Sequence, residues 1–127
     1  MIFPFLEIKK TKNKGLGVFA TEDIQKDTLI EISPVIVLGP NDTELIDKTN
    51  LYNYYFSWEE DQKSSAIGLG FVSLYNHQID SNCFYESYFE DKVIRIITRK
   101  DILKGEELTI NYHHDPMSSK PTWFDTV

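Results

Sequence analysis

The 127 residues, 14.8 kDa, suffice for one packed core: a chain of this size buries roughly two-thirds of its unfolded surface. With 41% hydrophobic and 26% charged residues the composition excludes a low-hydrophobicity disordered chain, and the single cysteine, Cys83, excludes an internal disulfide and a multi-thiolate zinc site. The net charge of −7 has the wrong sign for a general nucleic-acid binder and suits a lysine-rich protein or peptide partner; it equally serves solubility. No apolar run reaches the roughly 18 residues of a membrane span. The opening MIFPFLEIKK puts its lysines after its apolar residues, the reverse of a secretory signal, so an intracellular setting, cytoplasmic or nuclear, is expected.

In chain order, residues 2–8 and 17–20 read as extended, and Leu29–Ile32 reads as a strand that stops at Pro34. Val35–Leu38 forms another strand. Gly39-Pro40-Asn41-Asp42 is a turn cluster, and Asp42 is placed to cap a short helix over roughly 43–56. Phe84–Phe89 and Val93–Thr98 flank Glu90-Asp91-Lys92 as a hairpin, and Glu107–Tyr112 is a final strand. One internal echo is present. Asp23-Ile24-Gln25-Lys26 leads into Ile30–Ile32 as Asp101-Ile102-Leu103-Lys104 leads into Leu108–Ile110, each a turn feeding a strand. Two copies do not make a solenoid, and similar turns can carry similar residues.

Four segments bear on chemistry. In Lys14-Gly15-Leu16-Gly17-Val18-Phe19-Ala20 the two glycines allow either a tight hairpin or close approach of backbone to a ligand, but no third glycine or helix start makes a dinucleotide fingerprint. Asn76-His77-Gln78-Ile79-Asp80-Ser81-Asn82-Cys83 follows the apolar run 69–75; it suits a structural turn, and a Cys83/His77 nucleophile pair lacks an evident orienting third group. Gly105–Tyr112 is a turn into an alternating strand whose Tyr112 serves packing or chemistry. In the tail, His113-His114-Asp115 could suggest a metal, yet consecutive side chains on an extended chain diverge, so no metal site is expected. Trp123-Phe124 is either an exposed apolar end or a cover for a pocket.

In this order and at these distances, KGLGVFA, DIQKDTLIEI, LYNHQIDSNCFYE and DILKGEELTINY resemble the SET domain family of protein lysine methyltransferases, and with Asn53–Ser57 the chain resembles its minimal, virus-type or bacterial members. The resemblance spans about residues 6–112 of a single domain over 1–127, with 113–127 as the variable carboxyl flank. Gln78 and Ser81 stand where the family usually has Ser and Pro, and its cysteine-rich zinc flank is absent.

The resemblance implies a mainly β, β-clip fold of small curved sheets with one short helix, in which the chain near Tyr112 threads beneath a loop in a knot-like arrangement. It implies S-adenosylmethionine as cofactor, with Gly15, Leu16 and Gly17 at its methionine end, Asn76 and His77 holding its amino group and adenine, and Tyr54 lining the site. Tyr112 is the implied catalytic residue, aligning donor and acceptor, and Ile110, Tyr112, Trp123 and Phe124 line the implied lysine channel. Ile110 offers no hydroxyl where the family often has Phe or Tyr, a tyrosine there limiting the product to lower states, so di- or trimethylation of a lysine in a protein such as a histone is expected. The other readings are a catalytically inactive SET-like module that binds a basic peptide and, further off, a β-clip domain that binds a surface or carbohydrate. Direct nucleic-acid and membrane contacts are not expected, and a homodimer is compatible with so small a domain carrying an aromatic tail.

Overall fold

The computed structural model describes residues 1–58 and 63–113 and is mainly β. The strands are β1 (Leu6–Lys10), β2 (Leu16–Ala20), β3 (Leu29–Leu38), β4 (Tyr55–Trp58), β5 (Ser64–Gly68), β6 (Asn76–His77), β7 (Cys83–Tyr88), β8 (Val93–Thr98) and β9 (Glu107–Ile110), with one α-helix, α1 (Pro40–Ile46). They form a four-stranded sheet of order β1-β2-β9-β6 and a five-stranded sheet of order β4-β5-β3-β8-β7. A core that includes Val18, Ile30, Ile94, Ile96, Leu108 and Ile110, none with exposed surface, joins the two. The β7–β8 hairpin forms as expected, with Tyr88 paired to Val93.

Three expectations change. Pro34 does not stop its strand, which runs on to Leu38 because it changes partners there: residues 29–34 pair with β8, and Val35–Leu38 pair with β5. A proline is tolerated where a strand leaves one neighbour for another, since its missing amide falls between ladders. The helix starts earlier and stops sooner than 43–56. Pro40 takes its first turn, Gly39 rather than Asp42 is the N-cap, and no side chain caps it. Extended backbone at Thr49 then ends the run, and the Thr49 hydroxyl accepts from the Leu51 amide to open a single 3-10 turn over Asn50–Asn53. Tyr55 and Phe56 leave the expected helix and, with Ser57 and Trp58, pair with β5. The last strand ends at Ile110, and Asn111–His113 form a turn.

The two copies of the internal echo pair with each other. The amide of Ile24 donates to the carbonyl of Ile102 and the reverse, both at 2.8 Å. Asp101 Oδ1 accepts from the Lys26 amide at 2.9 Å, and Asp23 Oδ1 accepts from the Lys104 amide at 2.8 Å. The symmetry extends outward: Thr98 donates to Thr28 as Ala20 donates to Glu106, and the positive φ of Asp27, 64°, recurs at Gly105, 90°. A pseudo-twofold axis thus relates the turn before β3 to the turn before β9, and each turn's aspartate closes the other turn.

Glu31 is a carboxylate with no exposed surface. Its Oε1 accepts from the Tyr75 hydroxyl at 3.0 Å, while among the described residues Oε2 has no partner within hydrogen-bonding geometry and lies where a side chain at Gly70 would collide with it. Burial raises its pKa, opposed by the Tyr75 hydroxyl and the nearby amides of Phe71 and Val72. An acid with a raised folded pKa binds its proton more tightly folded than unfolded, so its cost is largest at neutral pH and is relieved as the pH falls through the folded pKa. Denaturant titrations should accordingly show wild type gaining on Glu31→Gln as the pH is lowered from neutral towards the ordinary carboxylate range. A stability gap independent of pH would contradict this.

Candidate active site

The segments singled out in the sequence meet around β9, which lies between β2 and β6. Asn76 and His77 pair in parallel with Thr109 and Ile110, so two segments distant in sequence become adjacent strands. Asn82 extends that pairing with its side chain: its Nδ2 donates to the Glu107 carbonyl at 2.9 Å, and its Oδ1 accepts from the Thr109 amide at 2.8 Å. The second asparagine therefore acts as a surrogate strand along β9.

Tyr112, just past β9, is fixed at both ends. Its amide donates to His77 Nδ1 at 3.1 Å, and its hydroxyl donates to the Tyr75 carbonyl at 3.0 Å. The two rings lie 5.1 Å apart. Burial, reinforced by the negative charge of Glu107, pushes the Tyr112 hydroxyl up to about 12, so it stays protonated at any working pH. With its one proton committed to Tyr75, its oxygen meets other groups as an acceptor.

Two cavities flank this tyrosine. The larger, about 250 Å³, is lined mainly by aromatic side chains, among them Tyr52, Tyr55, Phe56, Tyr75, Tyr85 and Tyr112. The smaller, about 110 Å³, is lined by Lys14, Gly15, Leu16, Leu74 and Asn76. Asn53, Tyr54, Ser73 and Tyr112 border both, so the cavities adjoin at Tyr54 and Tyr112. The hydroxyls of the larger cavity are partly tied down: Tyr55 donates to Asp47 Oδ1 at 2.7 Å, and Tyr85 reaches the Tyr112 carbonyl at 3.4 Å. Burial pushes both phenols up to about 12, with Asp47 adding to the shift at Tyr55.

The two glycines of the first segment have different duties. Gly15, at φ +74°, makes the turn between β1 and β2, with nothing near the place a Cβ would take. Gly17 is a packing glycine: a Cβ there would stand 2.6 Å from Glu107 Oε2 and 3.0 Å from Asn76 Nδ2. The Asn76 amide uses both hydrogens in this contact, donating to Glu107 Oε2 at 2.7 Å and to the Leu16 carbonyl at 3.1 Å. The Lys14 ammonium donates to the His77 carbonyl at 3.2 Å.

Of the expected site residues, Gly15, Leu16, Tyr54, Asn76 and Tyr112 line the cavities, and Gly17 and His77 support them from behind. Ile110 lies in the core with no exposed surface and lines neither cavity. Trp123 and Phe124 lie outside the described residues, as do His114 and Asp115. Cys83 is buried, and burial pushes its thiol pKa up, opposite to what a nucleophile needs. Sequence reasoning missed Tyr52, Tyr55, Phe56, Tyr85 and Glu107. The aromatic run 52–56 was a usable signal for the first three, whereas Glu107 had none apart from its place on β9.

Residues 15–113 match the model of the SET domain family. A curated relative, the histone-lysine N-methyltransferase of Schizosaccharomyces pombe described as H3 lysine-37 specific, is 37% identical over 108 residues, which cover 84% of this chain and 72% of that protein. The histone-lysine N-methyltransferase trr of Drosophila melanogaster is 32% identical over 115 residues, 85% of this chain but 5% of that protein. Among solved structures, a Plasmodium falciparum protein assigned as a histone methyltransferase superposes with a TM-score of 0.67 at 26% identity, covering 97% of this chain and 99% of that one. A chain of an active polycomb repressive complex 2 gives 0.73 at 21% identity over 88% of this chain and 15% of its own length, a likeness of fold.

The glycine geometry makes a direct prediction. Gly17→Ala should cost about 1–3 kcal/mol by overpacking against Glu107 and Asn76, whereas Gly15→Ala should cost about 1 kcal/mol through backbone strain alone. Denaturant midpoints of the two variants check the order, and equal losses would show that Gly17 is not a packing position.

Proposed function

The chain belongs to the SET domain family of protein-lysine methyltransferases, and we propose that it takes its methyl group from S-adenosylmethionine and passes it to a lysine of a histone or similarly basic protein. The observation that carries this reading is the pair of adjoining cavities at Tyr112, one with polar side chains, Lys14, Asn53, Ser73 and Asn76, in its wall, the other mainly aromatic. The polar cavity suits an amino-acid-bearing cofactor: Lys14 offers a cation to a carboxylate, and Asn76, its amide hydrogens spent, offers a carbonyl oxygen to an amine. Gly15, Leu16 and Tyr54 complete its wall. His77 contributes through its ring, which anchors the Tyr112 amide. Bound S-adenosylmethionine supplies a methyl group on a sulfonium, an electrophile already activated, so no metal or strong nucleophile is called for.

The residues of the aromatic cavity then have two tasks. A free lysine is neutral about once in 2,500 at pH 7, a handicap of about 4.6 kcal/mol. Phe56, Tyr75, Tyr85 and Tyr112 form a poorly hydrated wall that disfavours the ammonium and lets the amine enter uncharged. Tyr112 then aligns the acceptor, held by its two bonds, and its raised pKa argues against a role as base. The relatives carry methyltransferase names, which gives no support to a catalytically silent module. A histone substrate fits the net charge of −7 and implies an intracellular site of action, nuclear or cytoplasmic.

The extent of methylation cannot be argued from Ile110, which is in the core. Tyr85 takes over the question. Its phenol lines the aromatic cavity beside Tyr112, where it can hold the amine or a water in the space a further methyl needs. On that ground we propose a low methylation state in place of the di- or trimethylation expected from Ile110.

Four measurements test the reading. Calorimetry with S-adenosylmethionine should show one site per chain, and absence of binding at high concentration would sink the proposal. Tyr112→Phe should keep the fold and cofactor affinity but lose about 100-fold in single-turnover methyl transfer, while the wild-type rate on a lysine peptide should climb from about pH 7 to 9 as neutral amine accumulates, with no decline from ionisation of Tyr112. Product masses under excess cofactor should move to higher methylation in Tyr85→Phe; an unchanged product distribution would remove Tyr85 from this role.

A further inference from the structure

Glu107 stands behind the polar cavity, outside its lining, yet it decides what that lining presents. An asparagine side chain is ambivalent, since one end donates and the other accepts, and a half-turn about its last bond exchanges the two. At Asn76 the choice is fixed, because both amide hydrogens are spent on acceptors: the Glu107 carboxylate at 2.7 Å and the Leu16 carbonyl at 3.1 Å. The flipped amide would set its oxygen against those same two acceptors, losing both hydrogen bonds and adding repulsion. The backbone builds this arrangement. Asn76 pairs with Thr109, two residues past Glu107 on β9, and Gly17 leaves the space that the Glu107–Asn76 contact fills.

We propose that Glu107 is a positioning residue that holds Asn76 with its carbonyl oxygen toward the polar cavity, and so makes that cavity select ligands carrying an amine. The proposal rests on the reading of that cavity as the cofactor site, and goes beyond it by assigning the selectivity to a residue that does not line the cavity. The charged acceptor matters twice: it makes a stronger bond to the amide than a neutral one would, and its negative charge favours a cationic amine nearby. A glutamine at 107 can still accept from Asn76 through its own carbonyl, whereas an alanine cannot.

The test is calorimetry with two probes, S-adenosylhomocysteine and its analogue lacking the α-amino group, on wild type, Glu107→Gln and Glu107→Ala. Wild type should prefer the amine-bearing probe by about tenfold or more. Glu107→Gln should keep most of that preference. Glu107→Ala should reduce it to within about threefold by weakening the amine-bearing probe alone, since a bond to a charged acceptor carries about tenfold or more, enough to remove most of the preference. A merely structural role would weaken both probes equally. Hydrogen exchange of the Asn76 side-chain amide, followed by NMR in the unliganded protein, gives a readout independent of binding, and should speed up in Glu107→Ala but not in Glu107→Gln. If Glu107→Ala keeps the wild-type preference, or its amide exchange is unchanged, the inference is overturned while the cofactor site stands; if wild type binds neither probe, the reading of the cavity itself fails.

Discussion

The site depends on one short parallel pairing, Asn76 and His77 alongside Thr109 and Ile110. Two residues a side is a small ladder, and parallel pairs are the less stable kind per residue. It holds because it is buttressed from both directions. β2 covers the other edge of β9 through Val18–Leu108 and Phe19–Glu107, and the Asn82 side chain carries the hydrogen bonding along the strand where no further backbone reaches. Leu108, Thr109 and Ile110 are buried, so releasing β9 would also open the core. Within the described residues the last strand is inserted between β2 and β6.

From that pairing the geometry around Tyr112 follows without long side-chain relays. Tyr112 is held through its own amide and its own hydroxyl, by the ring of His77 and the carbonyl of Tyr75, residues separated by one position on the neighbouring segment. Tyr75 is in turn held through its hydroxyl by Glu31 on β3 of the other sheet. The aromatic wall of the cavity is thereby tied to both sheets. The cost is a buried carboxylate, one of whose oxygens has no hydrogen-bond partner among the described residues.

The legible part of this in the sequence was local and chemical. Two-residue periodicity located Phe84–Thr98 as a hairpin, and the glycine, asparagine-histidine and Tyr112 segments could be read as one constellation through their family likeness. What stayed hidden depended on partners far along the chain. Pro34 marks a stop by its missing amide, and only the exchange of β8 for β5 at that point lets the strand continue. Residues 55–58 follow a helical stretch and carry aromatics compatible with either structure; pairing with β5 decides for a strand. Ile110 shares a strand with the segment leading to Tyr112, but the chain turns at Asn111, so counting two residues back along a straight strand put it on the wrong side. The internal echo was visible as a repeat, yet that its copies bond to each other is a fact of three dimensions.

The pseudo-twofold arrangement supplies the last step from fold to site. Each turn of the echo delivers a strand, β3 from one and β9 from the other, and each is closed by the aspartate of its mate. β3 carries Glu31, which fixes Tyr75; β9 carries Glu107, which fixes Asn76. Tyr75 and Asn76 are consecutive, and on an extended segment consecutive side chains point to opposite faces. One face takes Tyr75 toward the aromatic cavity and the other takes Asn76 toward the polar one. The two related halves of the fold thus meet on a single dipeptide, each supplying one carboxylate that orders one wall of the site. Tyr112 lies at the seam because its anchors, the carbonyl of Tyr75 and the ring of His77, bracket that dipeptide. The placement of Tyr112 where the two cavities adjoin is therefore a property of how the halves are clasped.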